Sequence, residues 1–103
     1  MYRLEFLPLA RKDMVEIVRY ISQELENPDA AERLTMKLIE TTEKLSMFPY
    51  VGNAYHSLRP LKNEYRKISV KNYLMFYWVD EENKAIVVTR VLYMRRDYGR
   101  LLE

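Results

Sequence analysis

The sequence contains no cysteine, one histidine and two glycines among 103 residues. Without cysteine the chain can form neither a disulfide framework nor a reactive thiol, and a single histidine leaves too few ligands for a zinc site. Two glycines are also too few for a glycine-rich loop that binds phosphate groups. We therefore expect a protein without a metal or a cofactor.

Long apolar runs are missing as well. No run approaches the ~20 residues that span a bilayer, and the first residues lack the basic start, apolar run and small-residue cleavage site of a signal peptide. We expect a cytoplasmic protein that does not contact a membrane and that folds as a single domain over residues 1–103.

Positive charge is concentrated in the C-terminal part of the chain. The net charge is +2, but residues 1–58 carry 7 Lys/Arg against 9 Asp/Glu, whereas residues 59–103 carry 10 against 6. The cations of this part include Arg59, Lys62, Arg66, Lys67, Lys71, Arg90, Arg95 and Arg96. This distribution favours an anionic partner there, either a nucleic acid or an acidic protein, although a solvated surface has a similar composition.

Three runs rich in Tyr, Val, Ile, Phe and Trp lie between Glu64 and Asp97. These residue types fit a pleated, half-buried surface. Residues 71–72 and 81–84 separate the runs, and connections that short join only antiparallel neighbours. The sequence therefore predicts a three-stranded meander.

The middle strand of this meander is apolar on both faces. Its residues form two sets, Tyr73, Met75, Tyr77 and Val79 on one face and Leu74, Phe76, Trp78 and Asp80 on the other. Because a sheet with one wet face should alternate apolar with polar residues, something must cover the second face. The alternatives are the chain's own tail (Tyr98, Leu101 and Leu102), a protein partner or a target. A period of 2 does not tell which face lies beneath the helices.

The N-terminal half predicts a strand followed by a helix hairpin. Residues 2–7 form the strand, Pro8 suits the first turn of a helix, and residues 27–28 stop that helix. Asp29, with Glu32 one turn later, resembles a capping box that starts a second helix, which Pro49 ends. The stripes predicted to be buried are Ala10, Met14, Ile17, Val18, Ile21 and Leu25, then Ala31, Leu34, Leu38, Thr41, Leu45 and Phe48.

These elements predict an α+β fold in the order β-α-α-β-β-β, with the N-terminal strand and the helix hairpin packed on an antiparallel sheet and a short basic tail at the end. The long connection at residues 49–63 contains the single histidine, His56. Its length is a mild indication of function. We interpret His56 as a surface residue because no acid or nucleophile stands at a telling spacing from it.

Three stretches carry a resemblance to a known family: LSMFPYVG at residues 45–52, RKISVKNYLMFYWV at residues 66–79 and VLYMRRDYGRLL at residues 91–102. With the element order and the length, they make the chain resemble the RelE/ParE superfamily of toxins from bacterial type II toxin–antitoxin modules, which includes plasmid stabilisation proteins. The resemblance covers essentially the whole chain. It implies a growth-inhibiting toxin that a cognate antitoxin holds silent, in a hetero-oligomer of the two.

The family's two branches differ in target. RelE-like members cleave mRNA in the ribosomal A site without a metal, whereas ParE-like members poison DNA gyrase. The cations and the tyrosine of the nuclease pattern would correspond to Arg66, Lys67, Arg95 or Arg96, and Tyr98. Leu74 stands where that pattern places an arginine on the second meander strand. Because the loss of a transition-state cation costs ~10²–10³ in rate, we predict a ParE-like toxin that binds gyrase.

A RelE-like endoribonuclease is the alternative prediction, and a toxin relic that only binds an antitoxin is the third. The residues predicted to bind a partner are Leu74, Phe76, Trp78, Arg90, Arg95 and Arg96.

Overall fold

The computed structural model describes residues 1–56, 63–95 and 102. Within these ranges the strands and helices are β1 (Arg3–Phe6), α1 (Pro8–Arg19), a π-helical turn (Tyr20–Glu24), α2 (Pro28–Met47), β2 (Asn53–Ala54), β3 (Arg66–Val70), β4 (Tyr73–Asp80) and β5 (Ala85–Tyr93). This order confirms the α+β prediction. No helix of the described residues is both long enough and apolar enough to cross a membrane.

The sheet has five strands in the order β1-β5-β4-β3-β2. The antiparallel meander of β3, β4 and β5 is confirmed, with Met75 opposite both Ile68 and Val91. β1 pairs with β5 in parallel, so the sheet is mixed rather than purely antiparallel. The short β2 extends the other edge by pairing with β3. The helices lie between β1 and β2 in the chain, and β5, the last strand in the chain, lies between β1 and β4 in the sheet.

The helices cover one face of the sheet. The buried cluster contains Ala10, Leu34, Leu38, Leu45, Val70, Met75, Tyr77, Ile86, Val88 and Val91. Tyr73 and Val79 pack against this cluster, so the tyrosine-containing side of β4 faces α1 and α2. By alternation, Leu74, Phe76 and Trp78 lie on the opposite face of the sheet.

Two residues of the predicted apolar stripes are exposed. Leu25 is 55% exposed because it follows the π-helical turn, which winds more residues per turn than an α-helix and shifts the stripe. Phe48 is 59% exposed because it is the C-cap of α2, with φ −130° and ψ 75°, and has left the helical path. The stripe prediction is wrong at both positions.

The start of the second helix also differs from the prediction. Pro28 is the first helical residue, and the Asn27 side chain accepts a hydrogen bond from the Ala30 N–H at 3.1 Å. Asn27 is therefore the N-cap, not Asp29. Asp29 lies in the first turn of α2, where its negative charge still complements the helix dipole.

Candidate functional site

An internal ion pair joins the first helix to the last strand. Asp13 accepts hydrogen bonds from Arg90 Nε at 2.8 Å and Arg90 Nη2 at 2.9 Å, and its Oδ2 also accepts from the Val91 N–H at 3.0 Å. The side chains of Arg90 and Asp13 are only 14% and 10% exposed. The hydrogen bond to Asp13 raises the pKa of Arg90 above its ordinary value. The Asp13 carboxylate thus accepts hydrogen bonds from both the guanidinium of Arg90 and the backbone N–H of Val91 in the last strand.

The geometry of this pair depends on a bulge in β5. The register between β4 and β5 shifts between Phe76 and Tyr77, which leaves Thr89 without an opposite residue, and the Thr89 hydroxyl donates to the Phe76 carbonyl at 3.2 Å. A bulge bends its strand and re-aims the neighbouring side chains. Arg90 follows it directly. The sequence placed Arg90 among the partner-binding residues, but the structure shows its guanidinium already held by Asp13 inside the fold.

The hydroxyl of Tyr77 forms hydrogen bonds with the backbone of the connection that follows α2, at Pro49 and Gly52. It donates to the Pro49 carbonyl at 2.8 Å and accepts from the Gly52 N–H at 3.0 Å, and Tyr77 is fully buried. Burial raises the pKa of Tyr77, so the group remains a hydroxyl. A Cβ on Gly52 would lie 2.6 Å from that hydroxyl oxygen and 2.9 Å from the Lys67 carbonyl oxygen. Only glycine lets the chain approach the tyrosine this closely.

A carboxylate in the β4–β5 turn gathers two phenols and an ammonium group. Glu81 accepts hydrogen bonds from the Tyr2 hydroxyl at 2.5 Å and the Tyr50 hydroxyl at 2.6 Å, and it pairs with Lys84 at 3.1 Å. The hydrogen bonds from Tyr2 and Tyr50, followed by that from Lys84, lower the pKa of Glu81 to about 2. The same contact with Glu81 raises the pKa of Tyr50 to about 12. This exposed clasp ties the start of β1 and the connection after α2 to one turn.

The candidate nuclease cations on β3 are separated by the sheet. Arg66 is paired with Tyr77 on the helix side, where its Nη1 donates to the Gly52 carbonyl at 2.8 Å. Lys67 is paired with Phe76 on the opposite face, and its ammonium lies 5.8 Å from the centre of the Tyr55 ring. The structure therefore does not bring these two cations together on one surface.

The remaining candidates of the nuclease pattern are only partly described. Arg95 is exposed in the turn after β5. Arg96 and Tyr98 lie outside the described residues, as do Arg59, Lys62 and Leu101. His56 is exposed, as expected of a surface residue.

The second face of β4 carries the predicted partner-binding residues in different environments. Phe76 is fully buried, and the Tyr55 ring packs edge-on against it with centroids 5.6 Å apart. Leu74 and Trp78 are half-buried. Of these three residues, Leu74 and Trp78 therefore keep part of their surface accessible to solvent, whereas Phe76 is enclosed by its own fold.

A cleft of about 750 Å³ opens between the helix hairpin and the β3–β4 turn. Its described lining includes Tyr20, Leu25, Arg33, Lys71, Tyr73 and Tyr93. The rings of Tyr73 and Tyr93 meet edge to face with centroids 5.6 Å apart, and burial raises the pKa of Tyr73. We name this feature the tyrosine cleft. The sequence did not predict it, since its walls come from three separate parts of the chain.

Asp13 was also missed by the sequence reasoning. A signal was present, because Asp13 lies three residues after Ala10 and four before Ile17, on the apolar side of the first helix. An acid in that position requires a buried cation or several N–H donors.

Comparison with known families finds a match over most of the chain. Residues 4–98 match the family described as "ParE toxin of type II toxin-antitoxin system, parDE". A search of curated proteins found no match.

Several solved structures have a similar fold. The chromosomal ParDE toxin–antitoxin system from P. aeruginosa aligns with a TM-score of 0.70 at 16% identity, over 92% of this chain and 98% of that chain. The toxin–antitoxin complex RelBE2 from Mycobacterium tuberculosis aligns with a TM-score of 0.61 at 22% identity, over 89% and 96%. The archaeal RelE–RelB complex from Pyrococcus horikoshii aligns with a TM-score of 0.61 at 15% identity, over 92% and 97%. At these identities the likeness concerns the fold alone.

Proposed function

The chain belongs to the ParE toxin family of type II toxin–antitoxin systems, and on that premise we propose that it inhibits growth by binding DNA gyrase and is neutralised by a cognate antitoxin. In this proposal the toxin works in the cytoplasm, forms a hetero-oligomer with its antitoxin and needs no cofactor. Its action is binding rather than catalysis.

The observation that carries the choice of binding over RNA cleavage is the separation of Arg66 and Lys67. Metal-free cleavage of RNA requires cations that converge on the charge developing at the phosphate. Here Arg66 donates to the loop carbonyl of Gly52 on one side of the sheet, while Lys67 lies by Tyr55 on the other. Leu74 supplies no cation at the corresponding place on β4. The separation of Arg66 and Lys67 and the apolar residue at position 74 support binding over cleavage.

The antitoxin surface of this proposal is the second face of the sheet. Leu74 and Trp78 lie there half-buried, and the fully buried Phe76 lies between them on the same strand. Aromatic side chains of this kind are frequent anchors in protein interfaces. Arg95, exposed just beyond β5, adds a cation for contact with either the target or an acidic antitoxin.

The test compares two activities of the purified chain. We expect inhibition of DNA supercoiling by gyrase and no cleavage of ribosome-bound mRNA. Co-expression of the neighbouring reading frame should restore growth, and its product should co-purify with the toxin. Cleavage of ribosome-bound mRNA without inhibition of gyrase would replace this proposal with the RelE-like nuclease. Growth inhibition without either activity would show a different target.

A further inference from the structure

The tyrosine cleft concentrates exposed apolar surface in a small part of the molecule. Tyr20, Leu25 and Tyr93 are 52%, 55% and 42% exposed, and all three line the same cavity. Tyr73 forms its floor, half-buried against the core. Clustered apolar side chains of this kind mark binding sites more often than scattered ones. Tyrosine is also a preferred anchor at interfaces, because its ring is apolar and its hydroxyl still bonds to polar groups.

The charged residues of the lining have one sign. Arg33 and Lys71 are the charged side chains among its described residues. Both also line the adjoining depression, which contains Asp29, Glu32 and Glu40. Within the described part of the chain, neither cation forms an ion pair or a side-chain hydrogen bond. They are therefore available to carboxylates of a partner that places apolar side chains on the tyrosines.

The backbone around the cleft is irregular on both sides. One wall is the π-helical turn Tyr20–Glu24, a local form that is frequent at functional sites. The opposite wall is the β3–β4 turn, where Lys71 has a φ of 57°. Both features set the cleft apart from the regular packing of the helix hairpin on the sheet.

We propose that the tyrosine cleft receives an acidic, apolar-rich segment of the toxin's protein target. This inference rests on the proposed function and specifies where that target binds. The cleft lies on the helix side of the sheet, whereas Leu74 and Trp78 face the other side. The target and the antitoxin therefore contact different surfaces.

A nucleic acid fits the cleft less well. One depression that adjoins it contains Asp29, Glu32 and Glu40 beside Arg33, Lys37 and Lys71, and the other contains Asp13 and Glu16. A continuous phosphate backbone leaving the cleft would meet these carboxylates, and its binding depends on many cations along its path. A peptide segment can place one or two carboxylates at Arg33 and Lys71 and continue with neutral residues.

The experiment measures inhibition of DNA gyrase supercoiling by the full-length chain and by the double variant Arg33→Glu/Lys71→Glu. The double variant Lys12→Glu/Lys44→Glu is the matched control, because it changes the net charge equally at exposed positions outside the cleft. Leu25→Ser is a second cleft variant that leaves the charge unchanged. Melting temperatures and affinity for the co-purified antitoxin are measured for every variant.

We expect both cleft variants to require at least about ten-fold more protein for half-inhibition of gyrase, with antitoxin affinity and melting temperature close to those of the wild type. The control should inhibit like the wild type. Cleft variants that inhibit gyrase normally would overturn the inference and leave the proposed function intact. An equal loss of antitoxin affinity would also overturn it, since the cleft would then belong to the antitoxin. Loss of binding to a 12-nucleotide single-stranded RNA, with gyrase inhibition retained, would assign the cleft to nucleic acid instead.

The same variants separate this inference from the choice of gyrase. If the wild type inhibits growth but not gyrase, the proposed target is wrong. Loss of growth inhibition in the cleft variants alone would then still support a target-binding cleft. Full growth inhibition by those variants, or a wild type that inhibits neither gyrase nor growth, would overturn the cleft as well.

Discussion

Asp13 and Arg90 lie 77 residues apart in the sequence and form a bidentate ion pair, with both N–O distances below 3 Å. Because Asp13 also accepts from the Val91 N–H, one carboxylate fixes the position of α1 relative to the bulged part of β5. Buried charges cost desolvation free energy, so such a pair contributes more to the choice of one arrangement than to overall stability. We infer that it sets where the helix hairpin docks on the sheet, and hence the shape of the tyrosine cleft.

Loss of the Asp13 carboxylate should be strongly destabilising. Asp13→Ala leaves Arg90 and the Val91 N–H without their partner, and breaking a buried pair costs about 3–5 kcal/mol. We expect about 3 kcal/mol, because water can reach part of the Arg90 side chain. Urea unfolding measures the change. Glu16→Ala, which removes the exposed contact with Lys12 at 4.0 Å, should cost less than about 0.5 kcal/mol. Equal losses in the two variants would contradict a special role for Asp13.

Gly52→Ala should destabilise the chain by about 1–3 kcal/mol, because the added methyl group would press on the Tyr77 hydroxyl and the Lys67 carbonyl. Tyr77→Phe should cost a similar amount by leaving the Pro49 carbonyl and the Gly52 N–H without their partner. The double variant should lose less than the sum of the two, since removal of the hydroxyl makes room for the methyl group. Additive losses in urea unfolding would show that the contact of the methyl group with the Tyr77 hydroxyl is not the cause.

The three strands of the meander could be predicted from the sequence because their signal is local, whereas the two-residue β2 within the predicted connection was missed. The runs of aromatic and β-branched residues and the short connections at residues 71–72 and 81–84 are enough to define an antiparallel meander. The side of β4 that faces the helices could not be predicted, because both sides are apolar and a period of 2 is symmetric. The parallel pairing of β1 with β5 joins strands about eighty residues apart and leaves no local pattern.

The candidate site was less predictable than the fold. Arg90 looked like a surface cation because its partner, Asp13, lies in another element and the bulge that re-aims it has no clear sequence signature. The cleft depends on a π-helical turn. A pattern with 3.6 residues per turn does not predict such a turn, and it therefore placed Leu25 in the buried stripe although Leu25 is exposed. In each case the decisive contact is between distant parts of the chain.

Acid should weaken the clasp at Glu81. Its pKa in the folded chain is about 2, against an ordinary value of 4.5, so its stabilising contribution is fully present above pH 4.5 and is lost as the pH falls towards 2. Glu81→Gln should flatten the dependence of the unfolding free energy on pH in this window. The neighbouring exposed Glu82→Gln is the control, and urea unfolding at several pH values measures both. A wild-type slope in Glu81→Gln would rule out this role for the carboxylate.

Trp78→Ala should weaken antitoxin binding by about 2 kcal/mol, or roughly thirty-fold in Kd. Trp78 is half-buried on the face opposite the helices, so its truncation should affect the interface more than the fold. Trp78→Phe retains an aromatic ring and should lose less. Isothermal titration with the purified antitoxin measures the affinity, and thermal unfolding checks the fold. Unchanged affinity in a folded Trp78→Ala variant would remove this residue from the antitoxin surface.

Arg95 is a predicted partner-binding residue whose side chain is exposed in the turn after β5. It forms no ion pair with another described residue. We expect Arg95→Ala to reduce growth inhibition in cells without antitoxin while the melting temperature stays constant, because truncation of an exposed side chain costs little stability. Arg95→Lys should retain part of the effect, since an ammonium group cannot reproduce the planar, two-pronged contact of a guanidinium with a carboxylate. Arg19→Ala, which removes an exposed arginine at the end of α1, is the matched control and should stay toxic.

Arg96→Ala and the double variant Arg95→Ala/Arg96→Ala complete the series, because two adjacent arginines can share one partner. Full toxicity in both single variants and in the double variant would exclude these arginines from target binding.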